Sequence, residues 1–135
     1  MTRGRLALAA LVTLIVVLGL GFAWGVSGRS ALETALDTSK QQLDIAEARG
    51  AILDARVSLY NNNFGDASRR LEDAREPLRR VRQRLQDAGD NAPASSIETA
   101  LRHVDEAQQL AARLDPTANA RAGEALEAIK VASAR

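Results

Sequence analysis

Cysteine is absent from this chain of 135 residues, histidine and methionine occur once each, and aromatic residues make up only 3%. Without cysteine there are no disulfides, thiolate metal sites, cysteine nucleophiles or thiol-linked lipids, although the redox compartment stays open. The single His103 has no second histidine or cysteine with which to share a metal ion. Its neighbours Asp105 and Glu106 read as part of a solvated helix face. The serines, Ser39, Ser58 and Ser68 among them, have no Ser-His-Asp setting beyond that one imidazole. Phosphate loops and dinucleotide fingerprints are also missing. The chain therefore reads as a non-enzyme, with no catalytic residue, cofactor or metal site expected. Neither sign of charge dominates: 18 basic against 17 acidic residues leave +1, which argues against a nucleic-acid partner.

What is present is aliphatic. Apolar residues reach 46%, mostly Ala, Leu, Val and Ile. Burial contributes about 0.8 kcal/mol per CH₂, so an Ala-rich seam stabilises less than a Leu-rich one. A small bundle of this composition gains from a partner or from self-association.

Residues 6 to 26, LALAALVTLIVVLGLGFAWGV, form a run of 21 with no charge. About 20 helical residues cross a hydrocarbon core of roughly 30 Å. Arg3, Arg5 and the amino terminus precede the run, and only Arg29 follows closely. The positive-inside rule then places a tail of residues 1–5 in the cytoplasm, an anchor over 6–27 in the lipid bilayer, and residues 28–135 outside the cytoplasm. Phe22 and Trp24 suit the outer lipid interface, and Gly21 and Gly25 form a G-x-x-x-G pair that lets membrane helices approach closely. A cleaved signal peptide ending near Val26-Ser27-Gly28 is the competing reading, and the run exceeds the usual length of such a segment.

Beyond the run, apolar and small residues recur in alternating steps of four and three. The first series is Leu32, Leu36, Ser39, Leu43, Ala46, Gly50, Leu53, Val57 and Tyr60; the second is Ala67, Leu71, Ala74, Leu78, Val81, Leu85 and Ala88. A third runs Ile97, Ala100, Val104, Ala107, Ala111 and Leu114, and a fourth Ala118, Ala122, Ala125, Ile129 and Ala132. Such spacing is the seam of helices packed nearly parallel or antiparallel. Strand-like alternation is lacking. NNNFGD, AGDNAPASS and LDPT punctuate the series, with Asp66, Ser95 or Ser96, and Asp115 as cap candidates. Pro77 inside the second series predicts a kink or break near Arg75 to Pro77. The fold class expected is all-α: a transmembrane helix followed by an antiparallel bundle of three to four helices with a long first helix.

Residues 69 to 84 hold seven arginines against Glu72, Asp73 and Glu76. With Leu71, Leu78 and Leu85 at a, Arg70 and Arg84 take g, and Arg75 and Arg82 take e, positions that select a neighbour by charge. The first helix offers Glu33, Glu47 and Asp54 at e, so pairing within the chain is the plainer account. The functional alternative makes Arg75, Arg79, Arg82 and Arg84 a partner-binding face. A straight helix from 27 to 62 would end about 50 Å from the membrane, and a return from 66 to 84 recovers about 27 Å. Those arginines would lie far outside a Debye length of about 8 Å, so a protein suits them better than lipid.

Ala55, Phe64, Ala67, Leu71 and Ala74 resemble the small-aromatic-small pattern of the tetratricopeptide repeat, and ARLDPTANARA at 112 to 122 resembles the phrase joining two such repeats. That resemblance implies a helix-pair module that binds other proteins. It covers about 20 residues well; RLQDAGDNAPASS stands where a second unit needs a helix, so an ordinary helical hairpin is the preferred reading.

These observations converge on a non-catalytic, single-pass protein of a bacterial inner membrane, its helical domain periplasmic. It would serve as a structural or accessory subunit of a larger membrane complex, with protein partners at the membrane. The alternatives are a sensor-like ligand-binding bundle signalling through a partner, a self-assembling coiled-coil spacer acting as a homo-oligomer, and the repeat-like binding module.

Overall fold

The computed structural model describes the backbone of residues 2–134 and the side chains of residues 31–134. Among these residues the protein is all-α, with four helices: α1 (Thr2–Tyr60), α2 (Phe64–Asp87), α3 (Asn91–Ala112) and α4 (Ala118–Ser133). Packing divides the chain into two units, 1–39 and 40–135. The second is the helical bundle. The anchor expected over 6–27, with Gly21, Phe22, Trp24 and Gly25, lies outside the described side chains. Among residues 31–134, whose side chains are described, no helix is long and apolar enough to cross a membrane.

Three turns built alike join the helices of the bundle. In each, the chain leaves the helix through one residue of positive φ: Asn62 (57°), Gly89 (79°) and Leu114 (58°). The following amide then reaches back five residues, Asn63 N–H to Ser58 C=O at 2.8 Å, Asp90 to Leu85 at 2.8 Å and Asp115 to Leu110 at 3.0 Å. The positive-φ residue itself bonds the carbonyl three back, as Gly89 does to Gln86 at 3.0 Å. This is the Schellman termination, which satisfies the last carbonyls of a helix. Glycine and asparagine take the left-handed conformation readily, whereas Leu114 carries a Cβ penalty.

The helix starts differ from the expected caps. Asn63 caps α2 by accepting from the Asp66 N–H at 3.2 Å, while Asp66 accepts from the Ser58 hydroxyl at 2.6 Å. Helix α3 begins at Asn91, ahead of Ser95 and Ser96, with Pro93 in its first turn, where a missing N–H leaves no bond broken. Asp115 accepts from the Thr117 N–H at 2.9 Å and hydroxyl at 2.6 Å, so it closes the turn into α4 from just before the helix. Helix α2 runs through Pro77 without a break, and the proline ring is fully buried.

The core is thin and alanine-rich, as the composition implied. Leu71, Ala74, Leu78 and Val81 from α2 meet Ile97, Ala100, Val104 and Ala107 from α3 and Ala122, Ala125 and Ile129 from α4. These belong to the second, third and fourth sequence series, of which Ala88 and Leu114 fall beyond the helix ends and are exposed. A smaller cluster of Leu59, Ala67, Ala111 and Ala118 closes the end near the α1–α2 turn.

The first series is the exception. Helix α1 enters the core through Ala48, Ile52, Ala55 and Leu59, none of which belongs to the expected seam. The expected seam faces outward instead: Leu43 is 68% exposed, Leu53 48%, Val57 61% and Tyr60 82%. The packed face continues through Asp44, which meets Arg80 and Arg84 of α2. Helix α1 thus carries two apolar stripes, and the smaller one packs.

Candidate functional site

The arginines of α2 are largely committed inside the bundle. Arg75 Nη1 lies 2.7 Å from Glu72 Oε2, and its Nε lies 3.0 Å from Asp105 Oδ1 of α3. Gln108 joins the group, donating to Glu72 Oε2 at 3.0 Å. Arg82 pairs with Glu98 across the α2–α3 seam. Arg84 and Arg80 converge on Asp44 of α1, Arg80 from Nη2 at 2.7 Å and Nε at 3.0 Å. Glu47 adds a longer contact to Arg80 at 3.3 Å. Of the four arginines singled out in the sequence, Arg79 alone stays half exposed, with a loose 3.9 Å contact to Glu76. Arg75, Arg82 and Arg84 hold helices together.

Asp44 is the buried charged residue of the bundle, 6% exposed. Burial pushes its carboxyl up, but hydrogen bonds from Arg80 and Arg84, with their charges, outweigh that and hold it below the ordinary carboxylate range. Arg80 and Arg84 reach one carboxylate because residues four apart share a helix face. The four-residue spacing of Arg80 and Arg84 was legible in the sequence, but Asp44 was not singled out as their partner.

His103 stands on α3 with Nδ1 3.4 Å from Glu106 and 3.5 Å from Glu124 of α4. Arg121 approaches the same two carboxylates, at 3.1 Å from Glu106 and in direct contact with Glu124. Arg121 of α4 bridges the two carboxylates, so the cluster ties α3 to α4. Among the described residues no group of three or more His, Cys, Asp or Glu side chains is placed to hold a metal ion.

What the bundle leaves unused is the outer face of α1. Leu43, Ala46, Gly50, Leu53, Val57 and Tyr60 are all exposed and follow the four-three spacing without a break. At 1.5 Å per residue this stripe is about 26 Å long, close to five turns. Gly50 sits in its middle, and a Cβ built there meets nothing within 4 Å. Glycine inside a helix costs about 1 kcal/mol relative to alanine, and no contact among the described residues calls for it. At the lower end, Leu53, Val57 and Tyr60 line a shallow apolar groove beside Asn119, which accepts from Arg56 Nε at 2.8 Å. Exposed aliphatic side chains in an ordered heptad series are chemically suited to packing against another helix.

No family model, curated protein or solved structure matches this chain.

Proposed function

We propose that this chain is a non-catalytic docking protein held at a membrane by residues 6–27, acting as a structural or accessory subunit of a membrane assembly. Its bundle would lie on the periplasmic side, as the charge asymmetry about the uncharged run suggests. The observation that carries the reading is the exposed heptad stripe of α1, Leu43 to Tyr60, on a bundle whose core is already filled without it. Contiguous apolar surface of this kind marks interaction sites in folded proteins. The arginines of α2 support the reading in a different way: by fixing α2 against α1 and α3 they hold the bundle rigid while its outer face is used.

The test is purification of the full-length protein from its native membrane in gentle detergent, beside the double variant Leu53→Asp, Val57→Asp. Both positions are exposed, so the bundle keeps its helical signal. The parent is expected to carry stoichiometric protein company that the variant loses. A parent that runs alone at the mass of one chain overturns the reading.

A further inference from the structure

We infer that the occupant of the α1 stripe is a second copy of this chain, paired in parallel through Leu43 to Tyr60, with Arg49 of each copy meeting Asp54 of the other. The inference rests on the docking reading above and goes further by naming the partner.

Charge at the flanks of the stripe decides both partner and direction. With Leu43, Gly50 and Val57 at a, and Ala46, Leu53 and Tyr60 at d, the e positions are Glu47 and Asp54 and the g positions are Arg49 and Arg56. One flank is acidic and the other basic. In a parallel pair each g side chain faces the e side chain five residues on in its partner. Arg49 then meets Asp54, twice by symmetry, and no like charges meet. In an antiparallel pair e faces e and g faces g, which would set Glu47 and Asp54 against acids and Arg49 and Arg56 against bases. The e and g charges of a coiled coil select partner and orientation in this way.

The same two residues are free to do so. Both Arg49 and Asp54 are exposed, and neither makes an ion pair or hydrogen bond among the described residues. Most other charges near the bundle seams are already matched: Asp44 with Arg80 and Arg84, Glu98 with Arg82, Asp105 with Arg75. Five residues apart on one helix, Arg49 and Asp54 diverge around its axis and do not reach each other, yet that offset is the one a parallel partner completes. Gly50 beside them supplies the remaining piece, a position with open space where two backbones can come close. Copies anchored in one membrane by the same segment also run in the same direction.

Full-length chain in mild detergent tests this by mass across a concentration series. The parent is expected to reach dimer mass. Arg49→Asp alone and Asp54→Arg alone each turn two attractions into two repulsions, so each is expected to weaken self-association about tenfold. The double variant Arg49→Asp, Asp54→Arg restores opposite charges and is expected to return within about threefold of the parent. Because the chain has no cysteine, Val57→Cys supplies a single cross-linking site, expected to trap the dimer efficiently, with Gln109→Cys on exposed α3 as the poorly trapped control. Self-association untouched by both single reversals overturns the proposal, as does a dimer lost only on Gly21→Leu, Gly25→Leu. A monomer that holds a different protein through the stripe overturns the second copy and keeps the docking reading. A monomer that holds nothing sinks both.

Discussion

Ile52 and Leu53 are adjacent in sequence and belong to different surfaces: Ile52 is completely buried in the bundle, and Leu53 stands 48% exposed on the outer stripe of α1. The contrast separates the two apolar faces of that helix and makes a direct prediction. Ile52→Ala removes core volume and is expected to cost about 2–4 kcal/mol. Leu53→Ala is expected to stay within about 0.5 kcal/mol for folding of the bundle. Chemical unfolding of the two variants followed by circular dichroism checks the difference, and equal losses would mean that both stripes are packed.

Asp44 predicts a second effect. Truncation by Asp44→Ala leaves Arg80 and Arg84 without their common acceptor and is expected to destabilise by on the order of 1–2 kcal/mol. Both guanidiniums keep partial access to water, which softens the loss relative to a fully buried pair. Asp44→Asn, which keeps one carbonyl acceptor, is expected to fall between parent and alanine variant in the same unfolding measurement.

Acid should weaken the bundle, and the direction follows from the carboxylates. Asp44, Asp66 and Asp115 are held below their ordinary value of 3.8, and Glu72 below 4.5, by hydrogen bonds from Arg80 and Arg84, Ser58, Thr117 and Arg75 respectively. Below those ordinary values the unfolded chain binds protons that the folded chain does not, so stability rises with pH there. The contribution is complete above about pH 5 and is lost as pH falls through the lowered folded values. Melting temperature is expected to be flat from about pH 5 upward in this respect and to fall below pH 4, with Asp44→Asn showing a shallower fall than the parent.

The three Schellman turns predict opposite responses to small substitutions. Gly89→Ala places a Cβ at φ 79° and is expected to lower stability by about 1 kcal/mol. Leu114→Gly relieves the same conformation at φ 58°, and because that side chain is 67% exposed it sacrifices little packing. It is expected to raise stability by about 0.5–1 kcal/mol. Thermal melts of the pair check both signs.

The all-α bundle was legible because its signals were redundant. In α2, α3 and α4 one apolar series existed per helix, so spacing alone identified Leu71, Val104 and Ile129 as core. The turns were legible from NNNFG, AGDN and LDP, although the local motif that closes each one is a backbone geometry that composition does not encode. Helix α1 was misread because periodicity reports that a stripe exists and not what covers it. The larger side chains drew attention to Leu43, Leu53 and Val57, whereas the face that packs is that of Asp44, Ala48, Ile52 and Ala55. Arg75, Arg82 and Arg84 were legible as seam-flanking charges, but their partners Asp105, Glu98 and Asp44 depended on helix offsets that only the packed bundle defines. Pro77 was expected to kink or break α2, and the helix runs on through it with the ring buried.

The most direct measurement is the mass of the full-length protein in gentle detergent, compared with that of Leu53→Asp, Val57→Asp at equal helical content. Docking through the outer face of α1 predicts an assembly heavier than one chain for the parent and a single chain for the variant. Identical masses for the two, whether one chain or several, would contradict it.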